Sequence, residues 1–161
     1  MPNVHPETLS ALTAGIQSEV ASYVFYLRAS KKQQSQDIRS ILEKLALEEK
    51  DHFQILERQY DSLVRSEKWI STSDVLKQEG LPEISEEMGQ VHRELIAEVE
   101  AADSLHKVLG IAYRLEKEAF DLFTSAVTKT EIPQAKIIFE QLARFEKGHM
   151  AVIEKMLKEE L

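Results

Sequence analysis

Leu45-Ala-Leu-Glu-Glu-Lys-Asp-His52 and Leu142-Ala-Arg-Phe-Glu-Lys-Gly-His149 carry one pattern twice: a Glu-x-x-His at Glu49/His52 and again at Glu146/His149, displaced by 97 residues. Around them Ile41 to Glu57 aligns without a gap on Ile138 to Glu154. Eight of the seventeen positions are identical, too many for chance, so the chain carries an internal duplication. The same offset upstream puts Leu12 on Leu109, Glu19 on Glu116, Tyr23 on Phe120, Tyr26 on Phe123 and Ala29 on Ala126. Each half therefore holds a Glu and, thirty residues later, a Glu-x-x-His.

Apolar residues at steps of three and four predict long helices in both halves. The first runs from Pro6, suited to a first helical position, to about Ser30, with Leu9, Leu12, Ile16, Glu19, Tyr23 and Leu27 on its buried stripe. After a polar turn at Lys31 to Asp37, in which Ser35 or Asp37 can cap, the second spans Gln36 to Arg65. Its stripe is Ile38, Ile41, Leu42, Leu45, Glu49, His52, Leu56 and Tyr60. A third runs from Ser104 to Val127 through Val108, Leu109, Ala112, Glu116, Phe120 and Phe123. A fourth starts at Pro133 and carries Ile138, Phe139, Leu142, Glu146, His149, Ile153 and Met156. Between the pairs, 66–103 reads as a crossover with one secondary helix through Ile84, Met88, Val91, Leu95 and Val99. The expected fold is all-α: a four-helix bundle of two duplicated antiparallel hairpins, 6–65 and 104–158, forming one domain over 1–161. The crossover is long because two hairpins of like orientation can be joined only by climbing the whole bundle.

The spacing turns this frame into a metal site. Residues equidistant from a hairpin turn lie level. Glu19 and Glu49 are centred on position 34 and Glu116 and Glu146 on position 131, each inside a turn. A His three residues beyond a Glu sits one helical turn on, so both can reach one centre. Four inward carboxylates and two imidazoles are costly to bury without counter-charge, and the stripes hold no Lys or Arg. Two divalent cations would balance them. An oxygen-and-imidazole donor set suits iron or manganese, with zinc the further alternative. The expected ligands are Glu19, Glu49, His52, Glu116, Glu146 and His149. Glu118 lies about 200° around the helix from Glu116 and faces out. Glu43, Lys44, Glu48, Lys50 and Asp51 read as a solvated face, and His5, His92 and His106, which lack partners at the repeat offset, as surface or packing residues.

Composition narrows the chemistry. The 161 residues include no cysteine, which excludes disulfides, thiolate metal sites and iron–sulfur clusters within this chain. Electrons must come from elsewhere. A net charge of −8 argues against a nucleic-acid partner. The first residues carry neither a basic nor an apolar leader pattern, and no apolar run approaches the ~18 residues of a membrane span, so the expected location is cytoplasmic.

Together these segments, with Glu19-Val-Ala-Ser-Tyr-Val-Phe-Tyr26 and Leu115-Glu-Lys-Glu-Ala-Phe-Asp-Leu-Phe123, resemble the rubrerythrin-like branch of the ferritin-like di-iron carboxylate proteins, and the likeness covers all four core helices. In such bundles two helices each supply a Glu and two a Glu-x-x-His. The resemblance implies two iron ions per chain, bridged by Glu49 and Glu146, with Glu19 and Glu116 as terminal carboxylates and His52 and His149 as nitrogen ligands. It gives Tyr26 the place of a tyrosine that hydrogen-bonds a ligand, ordinary packing being the other reading. It implies a peroxidase reducing hydrogen peroxide, with an external donor such as a rubredoxin. Two departures stand out. Family members with an exchangeable extra Glu have it where Ala119 stands here, and the usual cysteine-ligated iron domain is missing from this sequence. The six-residue ligand set keeps open a ferroxidase that uses oxygen, and a third reading is a bundle whose metals are only structural. A homodimer, formed through exposed apolar residues of the crossover, is also expected.

Overall fold

A computed structural model describes residues 5–160, the side chain of Glu160 excepted; residues 1–4 and Leu161, over which the one-domain reading also runs, lie outside it. Four long helices make the all-α, ferritin-like bundle: α1 (Pro6–Lys31), α2 (Gln36–Ser66), α6 (Leu105–Lys129) and α7 (Pro133–Glu160). Three short helices lie in the crossover: α3 (Thr72–Leu76), α4 (Glu86–Gln90) and α5 (Arg93–Ala101). The duplication is visible in the elements, since α2 and α7 begin at Gln36 and Pro133, the repeat offset apart. Of the two capping candidates Ser35 takes the role, its hydroxyl accepting from the Ile38 N–H, and Ser104 does the same for Lys107 at the start of α6.

α1 packs against α2 and α6, and α6 against α7, whereas the backbones of α2 and α7 barely approach one another. Two apolar clusters fill the bundle. One gathers Phe25, Tyr26, Leu42, Leu45, Val108, Leu109, Ile153 and Met156 near the α1–α2 turn. The other gathers Leu12, Leu56, Leu63, Phe123, Ile138, Phe139 and Leu142 near the opposite end. Between them lies a polar layer.

The expected stripe of α1 holds at Leu12 and Glu19 and is displaced by one residue at Ile16, Tyr23 and Leu27. Leu12, Gly15, Glu19, Ser22, Tyr26 and Ala29 are buried, while Ile16, Tyr23 and Leu27 are only half-buried. The innermost line of α1 alternates large and small residues because α6 comes close. A Cβ built on Gly15 would lie 2.9 Å from Phe123 Cε1 and 3.0 Å from Leu56 Cδ1. Val20, Ala21 and Phe25 are buried as well, and α1 also contacts α4 and α5 of the crossover, so it is covered on more than one side.

The crossover also differs from its expected form. The single helix expected through Ile84 to Val99 is two, α4 and α5, with α3 an addition before it, and the stripe breaks at Val91, which is 72 % exposed between α4 and α5. Polar side chains clasp it to the bundle. Lys32 Nζ donates to the carbonyls of Val99 (2.8 Å), Glu100 (3.0 Å) and Ala102 (2.5 Å), a cation on the C-terminal end of α5. Gln59 pairs its amide with both backbone groups of Ile70, and Gln54 and Arg58 donate to the carbonyls of Pro82 and Gly80. The part of α2 that carries Gln54 and Gln59 is therefore polar and yet buried, while Glu43, Lys44 and Asp51 stay exposed. Among the described residues no helix is long and apolar enough to cross a membrane.

Candidate metal centre

Each long helix brings its residues inward at one level. Glu19, Glu49, Glu116 and Glu146 are fully buried, and His52 and His149 retain only 4 % of their surface. Their donor atoms form two overlapping sets: Glu19, Glu49, His52 and Glu146, and Glu49, Glu116, Glu146 and His149. Within each set the atoms lie within 4.8 Å of one another. Glu49 and Glu146 belong to both. The structure thus brings all six sequence-predicted residues together, and it keeps Glu118, His5 and His106 exposed and outside. His92, half-buried at the start of α5, is also outside the cluster.

The distances show what the side chains aim at. His149 Nδ1 lies 2.5 Å from Glu49 Oε1, 3.4 Å from Glu116 Oε1 and 3.5 Å from Glu146 Oε2. His52 Nδ1 lies 3.2 Å from Glu146 Oε1 and 3.6 Å from Glu19 Oε2. Both imidazoles present the same nitrogen to the carboxylates. Closeness is not matched by hydrogen bonding. Both oxygens of Glu19 and of Glu49, Glu116 Oε2, Glu146 Oε2 and His149 Nδ1 are buried with no aligned hydrogen-bond partner. Among the described residues none of the four carboxylates pairs with Lys or Arg. Orphaned donors of this kind cost several kcal/mol each unless a cation gathers them. Four carboxylates and two neutral imidazoles fit a pair of divalent metal ions, hard to borderline in character.

Without metal, protons must do that work. Burial, then the neighbouring carboxylates, push Glu19, Glu49 and Glu116 well above the ordinary carboxyl range. Glu146 goes the other way: burial would raise it, but its close neighbours Glu116, His149, His52 and Glu19 hold it well below. Burial alone would depress both imidazoles, and the carboxylates around them raise both instead. Tyr26, fully buried, donates from its hydroxyl at 2.6 Å to Glu116 Oε1, the same oxygen that lies 3.4 Å from His149 Nδ1, while Oε2 is left without a partner. Burial and the carboxylates push this hydroxyl well up, so it stays a donor.

Two neighbours escaped the sequence reading. Glu48, assigned there to the solvated face, is only half-exposed and accepts from His149 Nε2 at 3.1 Å. Phe145 places its ring 5.0 Å from that of His52. The signal available was the repeat offset, which puts Phe145 opposite Glu48 on facing helices. Ser22 and Ala119, also repeat mates, are both buried, so the position of the family's extra Glu is filled by a small residue in both halves.

The family model described as Rubrerythrin matches residues 10–104 and 107–160. No curated protein and no solved structure matches the chain. With a match over nearly all its length and a buried Glu/His cluster at the duplicated positions, the chain belongs to the rubrerythrin family of di-iron carboxylate proteins.

Proposed function

We propose that the protein is a non-haem di-iron peroxidase, taking hydrogen peroxide, two electrons and two protons to two molecules of water. The observation that carries the reading is the sharing of Glu49 and Glu146 between two donor sets, which suits two metal ions held side by side. Glu19 with His52 and Glu116 with His149 would complete them. Iron bound there would supply the two electrons and polarise the O–O bond. The protein's part is positional. Tyr26 holds one oxygen of Glu116, and its raised hydroxyl keeps its proton, orienting the ligand without serving as the acid. The apolar clusters on either side keep the layer dry, which strengthens every charge interaction inside it. The family match supports oxidoreductase chemistry at such a centre.

These 161 residues hold no cysteine, so in this reading the electrons for re-reduction come from outside them, a rubredoxin-type donor being the natural candidate by resemblance. The same reading includes a cytoplasmic homodimer. Leu76 and Val91 of the crossover are exposed apolar residues available to it, and sedimentation velocity reads the oligomer.

A second reading, oxidation of ferrous iron by oxygen, is favoured by one observation: with Ala119 and Ser22 beside the cluster, the ligand set is the six-residue one. Rapid mixing separates the two. Anaerobic protein loaded with two ferrous ions per chain is mixed in parallel with peroxide and with oxygen, and the near-ultraviolet absorption of the oxidised centre is followed. A rate at least about tenfold higher with peroxide, at two electrons per chain, is expected. A faster reaction with oxygen, with repeated turnover of added ferrous iron, would give the second reading. Metal binding with no redox absorption would leave a structural metal bundle.

A further inference from the structure

The two donor sets are equal in composition, three glutamates and one histidine each, but not in what stands behind the histidine. Duplication would make them alike. It maps Glu48 onto Phe145, and these two residues occupy corresponding places beside opposite imidazoles. Behind His149, Glu48 Oε2 accepts from Nε2 at 3.1 Å, and its other oxygen lies 4.0 Å from Lys44 Nζ. Behind His52 there is an aromatic ring, centroid to centroid 5.0 Å at 31°. Among the described residues the one side-chain hydrogen bond of His52 runs through Nδ1 to Glu146.

An imidazole has two nitrogens on different edges, and a hydrogen bond to one decides what the other offers. A carboxylate at Nε2 keeps the proton there, leaves the Nδ1 lone pair for the donor set, fixes the ring plane and raises its basicity. Phe145 can restrict His52 by packing but accepts no proton. We infer that Glu48 is a positioning residue for His149, and that it makes the set Glu49, Glu116, Glu146 and His149 the tighter of the two metal positions. The inference rests on the metal reading above. It makes the centre chemically unsymmetrical: the first ion is seated with His149, and the ion beside His52 is the weaker-held and more readily lost.

The test separates the sets. His52→Ala leaves the His149 set intact and His149→Ala leaves the His52 set, and cobalt(II) titration, read by visible absorption, gives the affinity of each. Glu48→Gln, a helix-compatible change at a half-exposed position, is then added to both backgrounds. The expected result is an affinity loss of about 10–100-fold in the His52→Ala protein and a change below about threefold in the His149→Ala protein. The tighter background before that change should be His52→Ala. A loss of equal size in both backgrounds, or the same loss from Glu43→Gln at an exposed position on α2, would mean only that negative charge had been removed, and would overturn the assignment. So would no loss in either. An otherwise unsubstituted chain that takes up two cobalt ions while these variants behave alike refutes Glu48 and keeps the metal centre; one that binds no cobalt refutes both. A readout independent of affinity is proton NMR of the zinc-loaded chain. There the His149 Nε2–H should be slow to exchange, and it should lose that protection in Glu48→Gln.

Discussion

Tyr26 is the residue at which packing and chemistry can be pulled apart. Its ring belongs to the apolar cluster near the α1–α2 turn, and its hydroxyl reaches Glu116 across the bundle. Tyr26→Phe keeps the ring and leaves Glu116 Oε1 without its donor. A loss of about 1–3 kcal/mol in the unfolding free energy of the metal-free protein is expected by urea titration, with helix content unchanged. The cluster as a whole sets a pH dependence whose sign follows from its shifts. In the metal-free chain Glu19, Glu49 and Glu116 are raised above 4.5, and His52 and His149 above 6.5. Each holds its proton more tightly when folded. The stability they contribute is therefore complete below those unfolded values and is lost as pH rises through the folded ones. Glu146, depressed, opposes them only in acid, below 4.5. Urea midpoints of metal-free protein should fall from pH 6 to pH 8, whereas those of metal-loaded protein should rise, because metal binding needs the deprotonated ligands. Parallel profiles for the two forms would contradict this account of the cluster.

Helix α1 is the element whose reading the structure changed most. Helical period alone placed its buried stripe on the larger apolar residues, but α6 and the crossover approach from different sides, and the innermost line runs through Gly15 and Ser22. Gly15→Val would drive two methyls against Phe123 and Leu56, and a loss of about 1–3 kcal/mol is expected in chemical denaturation, despite the removal of a helix-weakening glycine. The crossover is held by single polar side chains in place of a stripe of its own. Removing the amine in Lys32→Ala strips three carbonyls at the end of α5 of their donor. Amide exchange in Arg93–Ala101 should accelerate at least about tenfold, with α6 and α7 unchanged.

At the scale of the molecule, the polar layer divides the core and joins the two hairpins: across it His52 of α2 meets Glu146 of α7, and His149 of α7 meets Glu48 and Glu49 of α2. Metal should therefore act as a cross-link between the halves. At a free concentration 100 times its dissociation constant, one ion adds about 2.7 kcal/mol, so chelation should lower the melting temperature while leaving most of the helix signal. The sharing of two glutamates predicts unequal stoichiometries. Glu49→Ala or Glu146→Ala removes a donor from both sets and should abolish tight binding of both ions; His52→Ala should keep about one ion per chain by elemental analysis.

Much of this was legible in one dimension. The duplication, the four long helices, the inward Glu-x-x-His pairs and the level of Glu19 and Glu116 follow from helical period and turn-centred spacing, which are properties of sequence alone. Hairpin geometry then leaves those six side chains little choice but to converge. What lay outside that reach depends on which element stands beside which. Glu48 looks like any charged residue on an outer face until α7 brings His149 within 3.1 Å of it. The buried polar face of α2 looks like a solvated one until Gln54 and Gln59 meet the crossover. Periodicity reports how a helix divides into faces; only the tertiary structure decides how many of those faces are covered, and by what.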